Sequence, residues 1–283
     1  MDAAFPPHTD PRLVCVKGDI AAPGAIAAAM DADTNSVFHL AAVVSSGAEA
    51  DFDLGYRVNL DGTRNLLEAC RKLKAAPRLV FSSSLAVFGG KLPAVVDDSI
   101  TPNPQTSYGT QKVIGEYLVT DYSRKGFLDG RSLRLPTIVV RPGKPNLAST
   151  SFASGMFREP LNGAICECPV DDTVEMWILS PGKVLDACVH AHDLPASAWG
   201  TNRAISLPGI TFSVKEGVEA LRRIAGDEVA ARVVFKPVDR IQNMIKTFPA
   251  RFKTPRAVDL GFSADTGIDA ILKDYIASEG IKL

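Results

Sequence analysis

The sequence predicts an α/β protein, a doubly wound parallel sheet followed by a smaller C-terminal domain. Three observations carry that prediction. Residues 36–44 form a near-continuous apolar run, and so do residues 78–81. Such runs suit strands buried on both faces of a parallel sheet. Helical stretches at 51–73 and 108–125 alternate with them, which calls for right-handed βαβ units. Polar residues then gather where the strands end: Gly18 and Asp19, Ala41 and Ala42, Ser82 to Ser84, and the stretch from Pro136 to Arg141. In an open parallel sheet ligands bind beyond the carboxyl ends of the strands, so these ends should line one edge.

The elements follow in order. Residues 1–10 read as a loop, with Pro6 and Pro7. Residues 13–17 are a short apolar run ending at Gly18, the pattern of a strand and turn. Residues 25–30 are Ala-rich and helical. Across 51–73, Tyr56, Leu60, Leu66, Leu67 and Cys70 fall at roughly helical spacing. The helix at 108–125 ends at Gly126, and residues 132–140 form the next strand. Residues 143–175 then carry Pro, Gly, Ser and Asn with little periodicity. Strands are expected at 173–179 and 205–207, with a helix beginning at 183–190. The helix 213–224 has Ser213 as N-cap and Glu216 three residues on, the pattern of a capping box. A last helix covers 269–278. The expected division is an incomplete dinucleotide domain at 1–145 and a substrate region at 146–283, some of whose segments may return to the sheet.

Composition narrows the function classes. The chain has 283 residues, 46% of them hydrophobic and 22% charged, values of an ordinary globular protein. A net charge of −1 supplies no basic stripe for nucleic acid. No apolar run reaches the length of a membrane span. The first ten residues show neither a basic nor an apolar segment of a secretory signal. Five cysteines at irregular spacing fit a reduced chain, and a cytoplasmic location is expected.

The chemistry centres on residues 81–112. An apolar run ends in three hydroxyls, a Pro-containing loop follows, and a helix opens with Tyr108 and carries Lys112 one turn later. Side chains four apart share a helix face. A neighbouring ammonium favours the ionised phenol, and a tyrosine so tuned can serve as a general base.

These residues resemble the extended short-chain dehydrogenase/reductase family, also called the NAD-dependent epimerase/dehydratases. The resemblance rests on Gly18-Asp19-Ile20, His39-Leu40-Ala41-Ala42, Val58-Asn59 with Gly62-Thr63, and Ser82-Ser83-Ser84 with Val87-Phe88-Gly89. Tyr108 with Lys112, and Arg141-Pro142, complete it. These pieces come in the family's order and cover about residues 13 to 145; each alone is weak, but together they are specific. A further likeness, to D-erythronate dehydrogenases, rests on residues 135–137, 140–146, 151–155 and 158–161. The fold implied is a Rossmann-like doubly wound parallel sheet. One departure is plain: the glycine-rich first turn of the family, with its strand and helix, is not found, since Gly18 is the first glycine. That first βα unit is therefore expected to be lacking, through a late start at an internal methionine. Residues 13–17 would then lack neighbouring strands, and Val37 would lie on an exposed apolar edge.

The resemblance implies roles. Tyr108 is the general base, and Lys112 lowers its pKa and holds the nicotinamide ribose. Ser84 hydrogen-bonds the reacting oxygen, with Ser83 as helper. Asp19 and Ile20 border the adenine, Ala41, Ala42 and Val43 let the cofactor approach the backbone, and Asn59 braces the site. Pro136 and Ile138 lie beside the nicotinamide. Arg141 and Lys144 are candidates for a substrate carboxylate, since a guanidinium grips one in bidentate fashion. Asn146 and Ser154 are substrate candidates by resemblance only. His190 and His192 with Cys166 and Cys168 lack zinc-site spacing, and no metal is expected.

The expected activity is oxidation of a hydroxyl of a small sugar acid, D-erythronate or a near relative, with NAD as cofactor. Two alternatives stand beside it: a nucleotide-sugar epimerase or dehydratase, and a non-catalytic remnant acting as a binding protein. No nucleic-acid or membrane partner is expected. A homodimer through the helix of Tyr108 is implied by resemblance.

Overall fold

The computed structural model describes residues 1–2, 5, 10–143 and 149–283. In chain order the elements begin with α1 (Ala25–Ala29), β1 (Ser36–His39), α2 (Ser45–Ala50) and α3 (Phe52–Gly55). A π-helical turn, Tyr56–Asp61, leads into α4 (Gly62–Arg71). Next come β2 (Arg78–Ser84), α5 (Ser107–Arg124), β3 (Asp129–Leu135), β4 (Thr137–Ile138) and α6 (Ser151–Leu161). Then follow β5 (Cys166–Cys168), β6 (Glu175–Leu179), α7 (Pro181–Asp193), α8 (Ala196–Trp199), β7 (Ala204–Ser206), β8 (Ile210–Ser213) and α9 (Val214–Ala225). The chain closes with α10 (Asp227–Ala230), β9 (Val233–Phe235), α11 (Asp239–Ile245), α12 (Pro255–Asp259) and α13 (Ile268–Ser278).

The chain forms two compact units. The first comprises Met1–Ser83, Thr106–Leu133 and Ala191–Ala204; the second comprises Ser84–Gln105, Arg134–His190 and Ile205–Leu283. The four-stranded sheet has the order β1-β2-β3-β7. β1 and β2 run parallel, with Ser36 opposite Arg78 and His39 opposite Phe81. In the first unit the core gathers Ile26, Leu66, Leu67, Cys70, Leu79, Phe81, Val119 and Leu128. It joins the inner faces of α4 and α5 to β2. Gly115 makes this packing possible: a Cβ there would stand 2.7 Å from Cζ of Phe81.

The second unit has its own sheets. β4 pairs in parallel with β6, β6 pairs antiparallel with β8, and β5 pairs in parallel with β9. Its core runs from Val139 and Phe157 to Leu221, Leu272 and Tyr275. The capping box of α9 is formed as expected: Ser213 accepts from the Glu216 N–H, and the Glu216 carboxylate accepts from the Ser213 N–H.

Four expectations need correction. Residues 13–17 make no strand; among the described residues their pairing is a single parallel bridge between Asp2 and Lys17, and Val14 is 84% exposed. Without a ladder on either side, an extended apolar segment gains nothing over loop. The strand expected at 36–44 ends at His39 and is not buried on both faces, since Phe38 is 44% exposed. β1 stands at the end of the strand order, as an apolar edge. The strand expected at 132–140 is split at Pro136 into β3 and β4, because proline brings no N–H to a ladder. Finally, the aperiodic stretch 143–175 contains α6. That helix buries Phe152 through Arg158 without a break, so it has no polar face from which a period could be read.

Candidate active site

In the first unit, α5 delivers the predicted pair. Thr106 caps the helix by accepting from the Gly109 N–H, and the Glu49 carboxylate accepts from the Ser107 N–H at 3.0 Å. Tyr108 is half-buried, in the first turn; Lys112 is only 3% exposed. The Lys112 ammonium donates to the Ser82 carbonyl at 2.6 Å and lies 5.6 Å from the centre of the Tyr108 ring and 4.8 Å from that of Phe81. The phenol and ammonium thus share the face that their spacing predicts. Burial pushes the Lys112 pKa down to about 7, against the pull of the Glu116 carboxylate one turn further on. Glu116 is itself buried and accepts from the Ser83 hydroxyl at 2.5 Å.

Asn59 sits in the π-helical turn, where the wider winding carries an extra residue per turn. Its side chain ties three places together. Oδ1 accepts from the Val43 N–H at 2.7 Å, and Nδ2 donates to the Val43 carbonyl at 2.9 Å and to Gln111 Oε1 at 2.7 Å. Val43 closes the small-residue stretch Ala41-Ala42-Val43 that leaves β1, and all three are half-buried. Beneath it, Thr63 gives its hydroxyl proton to the Asn59 carbonyl at 2.6 Å. The same Thr63 oxygen lies 2.8 Å from His39 Nε2. One hydroxyl has one proton to give, so His39 must donate there, which makes neutral His39 the Nε2–H tautomer. Burial, reinforced by the Lys112 charge, pushes the His39 pKa down to about 3.

Asp19 accepts from Arg57 at 2.5 Å and from the Ala21 N–H at 2.9 Å, which hold its carboxyl below the usual range. Ile20 packs against α4 at Gly62, where a Cβ would come within 2.7 Å of its Cγ2. Within this unit, then, Asn59 and Val43 join Gln111, Thr63 and His39 in one hydrogen-bonded network, to which Ser82 ties Lys112 through the His39 carbonyl, and the Ser83–Glu116 pair lies on the neighbouring residues of β2 and α5.

The second unit holds the remaining candidates. Ser84 caps the 3₁₀ turn Leu85–Val87, its hydroxyl accepting from the Ala86 N–H at 3.1 Å. Pro136 is buried and Ile138 half-buried. Ser154 is fully buried: its hydroxyl donates to the Ile138 carbonyl at 3.2 Å and accepts from the Arg141 N–H at 3.1 Å. It clasps the turn from which Arg141 projects. Arg158 braces the same turn by donating to the Arg141 carbonyl at 3.0 Å, and pairs with Glu159 at 2.6 Å. Burial and the nearby Arg158 lower the Arg141 pKa. Lys144 and Asn146 lie outside the described residues.

The histidines and cysteines do not converge. His190 contacts the Leu260 carbonyl at 2.7 Å in the second unit, while His192 contacts Ser36 Oγ at 2.8 Å and stacks on Phe38 in the first. Among the described residues no group of three or more His, Cys, Asp or Glu could hold a metal ion. No described helix is long and apolar enough to cross a membrane.

Sequence reasoning gave no role to Gln111, Glu116, Arg158 or the His39–Thr63 pair. A signal existed for two of them. Gln111 is three residues from Tyr108, and Glu116 four from Lys112, so helical spacing alone places both beside the pair.

The fold and this network define a class. Residues 3–198 match the NAD dependent epimerase/dehydratase family, and the chain belongs to it. The cofactor of that family is a nicotinamide dinucleotide. Two curated relatives cover nearly the whole chain. A D-erythronate dehydrogenase of Cupriavidus necator is 51% identical over 96% of this chain and 84% of its own length. A D-erythronate dehydrogenase of Haemophilus influenzae is 42% identical over 95% of this chain and 86% of its own. Among solved structures, a nucleoside-diphosphate-sugar epimerase from Agrobacterium tumefaciens superposes with a TM-score of 0.91 at 41% identity. That match covers 98% of this chain and 84% of the other.

Proposed function

We propose that the chain is an NAD-dependent dehydrogenase of a small sugar acid, D-erythronate, oxidising its C2 hydroxyl to a 2-oxo acid. The observation that carries the reading is Lys112, a buried amine that donates to the Ser82 carbonyl one helical turn from Tyr108 and carries its positive charge below about pH 7. Such a charge favours the phenolate, the form that can take a hydroxyl proton. The residues present suit a dinucleotide: Ala41, Ala42 and Val43 carry small side chains on a backbone pinned by Asn59. Asp19 and Ile20 would hold the adenine end, and Pro136 and Ile138 the nicotinamide. NAD, when bound, supplies the hydride acceptor.

In this reading Tyr108 takes the proton of the C2 hydroxyl and Ser84 holds that oxygen; the expected help from Ser83 is not available, since its proton is given to Glu116. Lys112 steadies the phenolate and the ribose hydroxyls. Arg141 pairs with the substrate carboxylate, Lys144 and Asn146 are further candidates for it, and Ser154 holds the backbone at Arg141 by accepting from its N–H. The sugar-acid substrate rests on the two D-erythronate dehydrogenases, which match almost the full chain.

The test is the purified chain with NAD and D-erythronate, followed by NADH absorbance. Tyr108→Phe should abolish turnover and leave NAD affinity within about twofold, because it removes the proton acceptor and little binding surface. Turnover unaltered in Tyr108→Phe refutes the assigned base. A second reading, epimerisation of a nucleotide sugar, draws on the Agrobacterium structure. Conversion of a nucleoside-diphosphate sugar without activity on D-erythronate would establish it instead.

A further inference from the structure

We propose that Gln111 is a positioning residue for the cofactor, clipping the backbone at Val43 to the helix of Tyr108 and Lys112 through the Asn59 side chain. The inference rests on the cofactor reading of residues 41–43 given above.

Asn59 grips Val43 at two points, its N–H and its carbonyl, in one amide-to-amide ring. That ring sets which way the Asn59 amide faces, with its second N–H turned toward α5. Gln111 Oε1 takes that proton at 2.7 Å. The chain is thereby closed from the exit of β1 through the π-helical turn to α5, across 52 residues of sequence between Asn59 and Gln111. Lys112, the next residue of α5, is held by the Ser82 carbonyl at the end of β2. Two neighbouring side chains of one helix therefore set the backbone at the ends of two neighbouring strands.

The surroundings show that Gln111 is kept for its oxygen. It is fully buried, and among the described residues its Nε2 has no hydrogen-bond partner. A buried donor left unpaired is unfavourable, so a side chain chosen for packing alone would be apolar here. Turning the amide over would not help, since Nε2 would then face the Asn59 N–H. Room for the group comes from Gly55, where a Cβ would stand 2.8 Å from Nε2. A glutamine that fills a glycine-made notch, with one end unsatisfied and the other on Asn59, acts as a latch rather than as filler.

The test uses Gln111→Met, which keeps the length and removes the acceptor, and Gln111→Asn, which keeps the amide and withdraws it by a methylene. The first readout needs no cofactor: amide hydrogen exchange at Val43, whose N–H is the donor to Asn59. Exchange should speed up about fivefold to tenfold in both variants, the loss of one net hydrogen bond. The second readout is NAD affinity, with Kd and the KM for NAD rising by about the same factor and kcat staying within about twofold. Gln111→Glu, which retains an accepting oxygen at the same reach, should restore Val43 protection. Unchanged Val43 exchange in a folded Gln111→Met or Gln111→Asn protein overturns the proposal. So does a fall in kcat with NAD affinity intact. A wild-type chain that binds no NAD, while Gln111→Met still speeds exchange at Val43, defeats the cofactor reading and leaves the latch standing.

Discussion

Lys112 makes the apo protein's stability depend on alkaline pH, and the size of that dependence follows from its burial. An ordinary lysine titrates near 10.5; here the pKa is pushed down to about 7. Each tenfold change in affinity for the proton is worth about 1.4 kcal/mol, so protonating Lys112 in the folded protein is disfavoured by roughly 5 kcal/mol relative to the unfolded chain. The sign follows from proton binding. Between about 7 and 10.5 the unfolded chain holds a proton on this group that the folded chain does not. Stability from Lys112 is therefore full above 10.5, declines as pH falls, and is gone below about 7. The steepest slope for one proton is about 1.4 kcal/mol per pH unit.

Lys112→Met removes the titration and keeps the stem. It also removes the bond to the Ser82 carbonyl, about 1.5–3 kcal/mol for a charged donor, which offsets part of the gain at neutral pH. The assay is denaturant unfolding of both proteins from pH 7 to 10.5. Buried thiols titrate in the same range with opposite sign: Cys70 is pushed up to about 11 and Cys166 to about 12, so their contribution is lost as pH rises. Subtracting the variant's curve from the wild-type curve cancels them. The difference should climb with pH by several kcal/mol in total. Parallel curves would show that Lys112 titrates like a solvated lysine, and the reasoning from burial would fail.

Other perturbations test other parts of the molecule. Gly115→Ala sets a Cβ 2.7 Å from Cζ and 2.9 Å from Cε1 of Phe81, a core ring only 1% exposed. Despite the better helix propensity of alanine, thermal unfolding should show a loss of about 1–3 kcal/mol, and a raised Tm would contradict that packing. His39, with its pKa near 3 against an ordinary 6.5, contributes stability present above 6.5 and lost as pH falls toward 3. His39→Gln, which can still donate to Thr63 and does not titrate, should unfold at lower pH in an acid titration; an unmoved midpoint rules the assignment out. Ser213→Ala removes one arm of the α9 capping box and should cost about 1 kcal/mol in denaturant unfolding.

The sequence alone determined what is written within a few residues of itself. The face shared by Tyr108 and Lys112 follows from four-residue spacing. The capping box follows from Ser213 and Glu216. The end of β2 in serines follows from composition along seven residues. Periodicity failed where burial is uniform, as in α6, and at residues 13–17, where an apolar pattern found no partner strand.

Tertiary structure alone decided how the site is charged and held. Whether Lys112 is an ammonium or near its neutral point depends on the solvent excluded around it, and on the Ser82 carbonyl 30 residues away. The latch of Asn59 and Gln111 spans 52 residues and needs both the π-helical turn and the notch at Gly55. Neither has a local signature, because burial and long-range hydrogen bonds belong to the packed chain and not to any short stretch of it.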